Sequence, residues 1–85
     1  MADGISIAKA AKIVGVEIHT LRYWENEFHP YLNPLRTVGH QRRYREADVV
    51  QAMHIMYLLK VVCFTIAGAK RQLEAERKVE LEYNG

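Results

Sequence analysis

The chain has 85 residues, 49% apolar and 26% charged, with a formal charge of +2 at neutral pH. That is one small domain, which buries only about 60% of its unfolded surface and has little stability to spare for a deep enzyme pocket. One cysteine, Cys63, excludes an intrachain disulfide and fits a reducing cytoplasm; the start MADGIS does not read as a secretory leader, and no run of about 18 apolar residues exists to cross a membrane.

Residues 6–14, SIAKAAKIV, are expected to form a helix. Ser6 is a good N-cap, because its oxygen can accept from an orphan backbone N–H. Ile7, Ala10, Ala11 and Val14 recur with helical period and make one apolar stripe, with Lys9 and Lys12 on the other side. Gly15 stops the helix by taking a left-handed conformation. Only Gly15 and Val16 separate it from a second helix over roughly 17–27. There Leu21, Trp24 and Phe28 make the buried line, and His19, Thr20, Arg22, Tyr23 and Asn26 are left on a face with no core to fill. Two short helices across a glycine-containing turn are a helix-turn-helix candidate, whose second helix enters the major groove.

His29-Pro30 and Asn33-Pro34 then interrupt helix. Leu35-Arg36-Thr37 and Gln41-Arg42-Arg43-Tyr44 read as two short strands turning at Val38-Gly39-His40. One face of this hairpin is expected to carry Leu35 and Tyr44, the other the arginines. Such a basic hairpin is a wing, suited to the sugar-phosphate backbone or the minor groove. A third helix over 46–62 is apolar nearly all round, so it should be the buried spine, with some apolar surface left for a partner. Glu46 and Asp48 favour its dipole. After Cys63-Phe64, Thr65 caps a fourth helix with Ile66, Ala69 and Leu73 inward. Its charged end is expected to fray, so the domain is placed at 1–80 and a tail at 81–85. The fold class is mainly α with a small β-hairpin: a winged helix-turn-helix of about four helices.

Charge is unevenly placed. Arg36, Arg42, Arg43 and Arg45 occur with no acid among them, whereas Lys70, Arg71, Arg77 and Lys78 are interleaved with Glu74, Glu76, Glu80 and Glu82. A local basic patch is what a phosphate-binding surface needs. The candidate DNA contacts on the second helix are Thr20, Arg22 and Tyr23: Arg22 has the donors to read guanine, and the other two suit phosphate or a thymine methyl. Arg42 and Arg43 alternate along a strand, so at least one should meet phosphate. Tyr44 is a contact or a core residue with equal justification. Lys9, Lys12, Lys70 and Arg71 are weaker candidates. His19, His29, His40 and His54 have no metal-ligand spacing, so no metal and no cofactor is expected. Cys63 reads as a packed small residue. Glu25 and Glu27 face different ways on their helix and are no catalytic dyad, and no nucleophile, base and orienting group occur together, so no enzyme is expected.

In order and spacing, AKAAKIVGVEIHTLRYWENEF, LNPLRTVGHQRRYREADV and LLKVVCFTIAGAKRQL resemble the DNA-binding domain of the MerR family of bacterial transcription regulators. The resemblance covers roughly residues 5–75. Thr20-Leu21-Arg22-Tyr23-Trp24-Glu25, Arg42-Arg43-Tyr44 followed by Asp48, and Phe64-Thr65-Ile66 carry most of it. It implies a two-winged helix-turn-helix, with the first wing at 34–45 and the second running from the spine into the fourth helix. It implies recognition-helix contacts from Thr20, Arg22 and Tyr23, wing contacts from Arg42 or Arg43 and Tyr44, and a basic position at Arg36. Family members bind double-stranded DNA at a pseudo-palindromic promoter, reshape its spacer for RNA polymerase, and form a homodimer through a helix following this domain, here expected only in a longer native chain. Many sense an effector through a separate C-terminal region. The sequence departs from the family at Glu17, where a better N-cap is usual, and at Cys63, where glycine is usual. Two other readings of the residues stay open: a protein-interaction module binding an acidic partner or modulating a chaperone, and an excisionase-like architectural DNA-binding protein.

Overall fold

The computed structural model describes residues 4–36 and 42–84. The Val38-Gly39-His40 turn, with Thr37 and Gln41, and Gly85 lie outside the described residues. Helix α1 spans Ile7–Val14 and α2 spans Ile18–Glu27. Ser6 Oγ accepts from the Lys9 amide at 3.2 Å. Ser6→Ala should therefore cost about 1 kcal/mol of stability, read as a lower urea midpoint at unchanged slope. An unchanged midpoint would show that water replaces the cap. Gly15 closes α1 at φ 88°, and its amide donates to Ala11 at 2.8 Å. Glu17 stands at the N-cap of α2 in extended backbone but makes no side-chain cap bond.

The strands are β1, Leu35–Arg36, and β2, Arg42–Arg43, antiparallel with Leu35 opposite Arg43 and Arg36 opposite Arg42. This register corrects the expected sorting of faces. Cross-strand partners share a face, so Leu35 goes with Arg43, and Tyr44, the next residue in the chain, turns to the other side. Leu35 is exposed and Tyr44 is buried. A third backbone segment also joins the hairpin. Ile5 and Tyr44 exchange both hydrogen bonds, each at 2.8 Å. Gly4, at φ 88°, makes this approach possible: a Cβ there would stand 2.5 Å from the Tyr44 carbonyl oxygen.

The spine begins as α3, Glu46–Met56, with an Asp48 carboxylate oxygen accepting from the Arg45 amide at 2.8 Å. It does not continue as α-helix to residue 62. Tyr57–Val61 form a π-helical turn, and the Val62 amide reaches back to Tyr57 at 3.0 Å. Cys63 follows at φ 68°, a left-handed conformation that a side chain normally disfavours. Thr65 Oγ1 accepts from the Gly68 amide at 3.0 Å and starts α4, Ile66–Asn84. That helix runs through the expected tail, so 81–84 is helical.

The core lies where α1, α2 and α3 meet, with α4 laid against the π turn. Ala10, Ala11 and Ala52 are buried small residues that let α1 approach α3 closely. Leu21, Trp24, Phe28 and Leu32 fill the centre with Tyr44 from the hairpin, and Ile55, Leu58, Ala69 and Leu73 join the spine to α4. The spine is less buried than its composition suggests. Val50, Met53, Tyr57 and Val61 are exposed, because among the described residues no neighbouring element covers that side.

Ion pairs and aromatic contacts join α4 to the rest. Lys70 Nζ meets Glu27 at 3.3 Å, and His54 Nε2 lies 2.9 Å from Glu76. The Tyr31 hydroxyl donates to Glu74, and Arg77 stacks over the Tyr31 ring. The hydrogen bond to Glu74 holds the Tyr31 phenol above its ordinary range, since ionising it would forfeit the bond and set two anions together.

Candidate nucleic-acid interface

The surface of α2 follows from its periodicity. At about 3.6 residues per turn, Leu21, Trp24, Glu25 and Phe28 point to one side and His19, Arg22, Tyr23 and Asn26 to the other. The first set is buried and the second exposed. Arg22 is exposed, and among the described residues no carboxylate pairs with it. Tyr23 is half-exposed, at 51%. Thr20 is half-buried at the flank of this face. His19 and Asn26 stand on the same outer face as Arg22 and were not among the expected contacts.

The wing places its basic residues beside α2. Arg36 is exposed in β1, and its Nη2 lies 3.8 Å from Glu25 Oε1. Arg43 is half-buried, on the Leu35 side of the hairpin. Arg42 sits opposite Arg36 in the register, and its side chain lies outside the described atoms. Arg45, the last arginine of the run, pairs with Asp48 at 3.0 Å and belongs to the start of the spine.

Tyr44 requires a correction. It is only 1% exposed, and its hydroxyl donates to Glu25 Oε2 at 2.6 Å. It is a core residue at the base of the wing and cannot reach phosphate without unpacking. Alternation explains this: Tyr44 follows Arg43 on the inward side, where Phe28 and Leu32 also pack.

Glu25 is the residue that sequence reasoning missed, since the pattern offered it only as half of a dyad. Its position was the signal. It comes four residues after Leu21, so it lies beside the buried line, where an acid needs partners. Two partners, Tyr44 and Arg36, come from the hairpin and its end. Arg22, Glu25, Asn26, His29, Asn33 and Arg36 together line a cleft between α2 and the hairpin.

Between the π turn and α4, Cys63 is exposed and not packed, contrary to expectation. It lines a shallow surface hollow with Phe64, Thr65 and Arg71. Arg71 is exposed, as are Lys9 and Lys12, while Lys70 is engaged by Glu27. Among the described residues no three His, Cys, Asp or Glu side chains gather as a metal site, and no helix is long and apolar enough to cross a membrane.

Comparison with known proteins bears on this arrangement directly. No curated protein matches the chain. A solved structure does: HiNmlR, described as a MerR family regulator lacking the sensor domain and bound to promoter DNA. The two superpose with a TM-score of 0.69 at 26% identity, over 99% of this chain and 70% of that one. The family model for the MerR HTH family regulatory protein matches residues 5–76, from the Ile5 bridge to the middle of α4. A match over that span, on a helix-turn-helix with a basic hairpin packed beside it, shows that this chain belongs to the MerR family of helix-turn-helix regulatory proteins.

Proposed function

We propose that the chain binds double-stranded DNA sequence-specifically as part of a transcription regulator, with α2 in the major groove and the 34–45 wing on the backbone. The observation that carries this reading is the division of α2. Its apolar side is spent on the core, while Arg22 and Tyr23 are held outward on a rigid element beside a basic hairpin. Family membership and the likeness to HiNmlR, which is bound to promoter DNA, support it. In this reading Arg22 reads a base edge, Thr20 and Tyr23 touch phosphate or a thymine methyl, at least one of Arg42 and Arg43 meets phosphate, and Arg36 adds a basic position in the first wing strand. The expected site is a pseudo-palindromic promoter in the cytoplasm, shared with RNA polymerase and engaged by a homodimer only in a longer native chain. The exposed Val50, Met53, Tyr57 and Val61 side of the spine supports a protein contact in addition to DNA.

Selecting preferred duplexes from a random pool by fluorescence anisotropy, and then retitrating with Arg22→Ala, tests the assignment. Arg22→Ala should cost about 1–3 kcal/mol on the preferred sequence and relax preference at one base pair. An equal loss on every duplex would rule out base reading by Arg22. No binding by the native chain even at low salt would overturn the DNA reading altogether.

A further inference from the structure

We propose that Glu25 is a positioning residue that sets the wing at a fixed place against the recognition helix, so that Arg36 and Arg22 present one rigid pattern of charge to DNA. The inference rests on the DNA-binding reading above and adds a role to a residue that faces no nucleic acid.

The geometry is specific. Glu25 is on α2, the helix that carries Arg22, and it is 8% exposed. One carboxylate oxygen accepts from Tyr44, which directly follows β2, at 2.6 Å. The other faces Arg36 of β1 at 3.8 Å. A single side chain therefore engages β1 and the residue that ends the hairpin. On its far side the base of the wing is tied by the paired backbones of Ile5 and Tyr44. The base is held from two directions.

The energetics favour a positioning role over a purely structural one. A buried carboxylate is costly without donors, and a buried acid is a poor source of net stability even when paired. What such a group supplies is geometry: its bond to Tyr44 and its pairing with Arg36 persist while the hairpin sits where it does. Electrostatics adds a second contribution. Arg22 and Arg36 line the same cleft as Glu25. A carboxylate lining the same cleft as both guanidiniums offsets part of their repulsion.

The test is a double-mutant cycle on the full chain, read by anisotropy on the selected duplex with thermal unfolding measured in parallel. Glu25→Gln keeps the size and an acceptor for Tyr44 but loses the charge that holds Arg36. It should weaken binding by about five- to ten-fold while the protein stays folded at the assay temperature. Arg36→Ala should cost a similar factor in the native chain but less than about two-fold in the Glu25→Gln background, because the two residues act as one unit. Equal cost in both backgrounds would overturn the proposal. So would tighter binding by Glu25→Gln, which would mean that the carboxylate competes with phosphate for Arg36. A loss that merely tracks the unfolded fraction would assign Glu25 to stability alone and overturn it too. Should Glu25→Gln fail to fold, Tyr44→Phe decides the matter: it removes only the hydroxyl held by Glu25 and should weaken binding several-fold, and unchanged affinity would overturn the proposal. Failure of the underlying reading is distinguishable, since the native chain itself would then not bind.

Discussion

Replacing Arg42 and Arg43 together by alanine is expected to lower the slope of log affinity against log salt by about 1–2, and to weaken binding on all duplexes alike. The reason is counterion release. Each phosphate neutralised by a wing arginine frees condensed cations, and that gain carries no sequence information. The register places Arg42 and Arg43 in the same strand, paired with Arg36 and Leu35, and they alternate to opposite sides, so under the proposed reading at least one of the two serves the backbone. Titration of native and doubly substituted chains at low and at physiological salt measures the slope. A slope unchanged by the substitution would remove the wing from the DNA interface. The exposed apolar side of the spine would then become the leading candidate site.

Trp24→Ala is expected to have the largest effect on stability, about 3–5 kcal/mol. Trp24 is 3% exposed and sits in the centre of the helix-turn-helix core with Leu21 and Phe28. Domains hold only about 5–15 kcal/mol in total, and one this short lies near the lower end. The variant should therefore be largely unfolded at 37 °C by circular dichroism, with a urea midpoint far below that of the native chain. Its neighbour provides the contrast. Tyr23 is half-exposed, and Tyr23→Ala should leave stability within about 0.5 kcal/mol while weakening DNA binding. If Trp24→Ala melted like the native chain, or Tyr23→Ala melted like Trp24→Ala, the division of α2 into a core side and an outer side would be wrong.

These two residues, adjacent in the chain, show how much of the site was legible in the sequence. The period of Leu21, Trp24 and Phe28 alone separated the buried side of α2 from the side carrying Arg22 and Tyr23. Ser6, Gly15 and Thr65 marked helix ends by chemistry that acts within a few residues: an oxygen within reach of a free amide, or a glycine free to turn left-handed. Helix order, the turn between α1 and α2, and the basic hairpin came from the same kind of local signal. The family resemblance rested on those same residues, and the match over 5–76 agrees with it.

What the sequence left open depended on contacts between residues far apart in the chain. Two strands as short as β1 and β2 have too few side chains to set their faces by pattern. Pairing decided it, sending Tyr44 into the core and leaving Leu35 in solvent. The Ile5 bridge joined the hairpin through Gly4, a close approach of two backbones that no side-chain pattern announces. The spine looked buried on all sides because composition records apolarity and not the number of neighbours, and too few elements surround it to cover Val50, Met53, Tyr57 and Val61. The π turn at Tyr57–Val61 and the left-handed Cys63 arise where the spine turns back into α4. Glu25 depended most on tertiary structure. Its neighbours in sequence said only that an acid lay near the apolar line. Its role exists because folding brings Tyr44 and Arg36, 19 and 11 residues away, onto one carboxylate. Local periodicity determined which residues of α1 and α2 face outward; three-dimensional packing decided the faces of the hairpin and spine and which residues stand together, because hydrogen bonds and charge pairs follow distance in space and not separation along the chain.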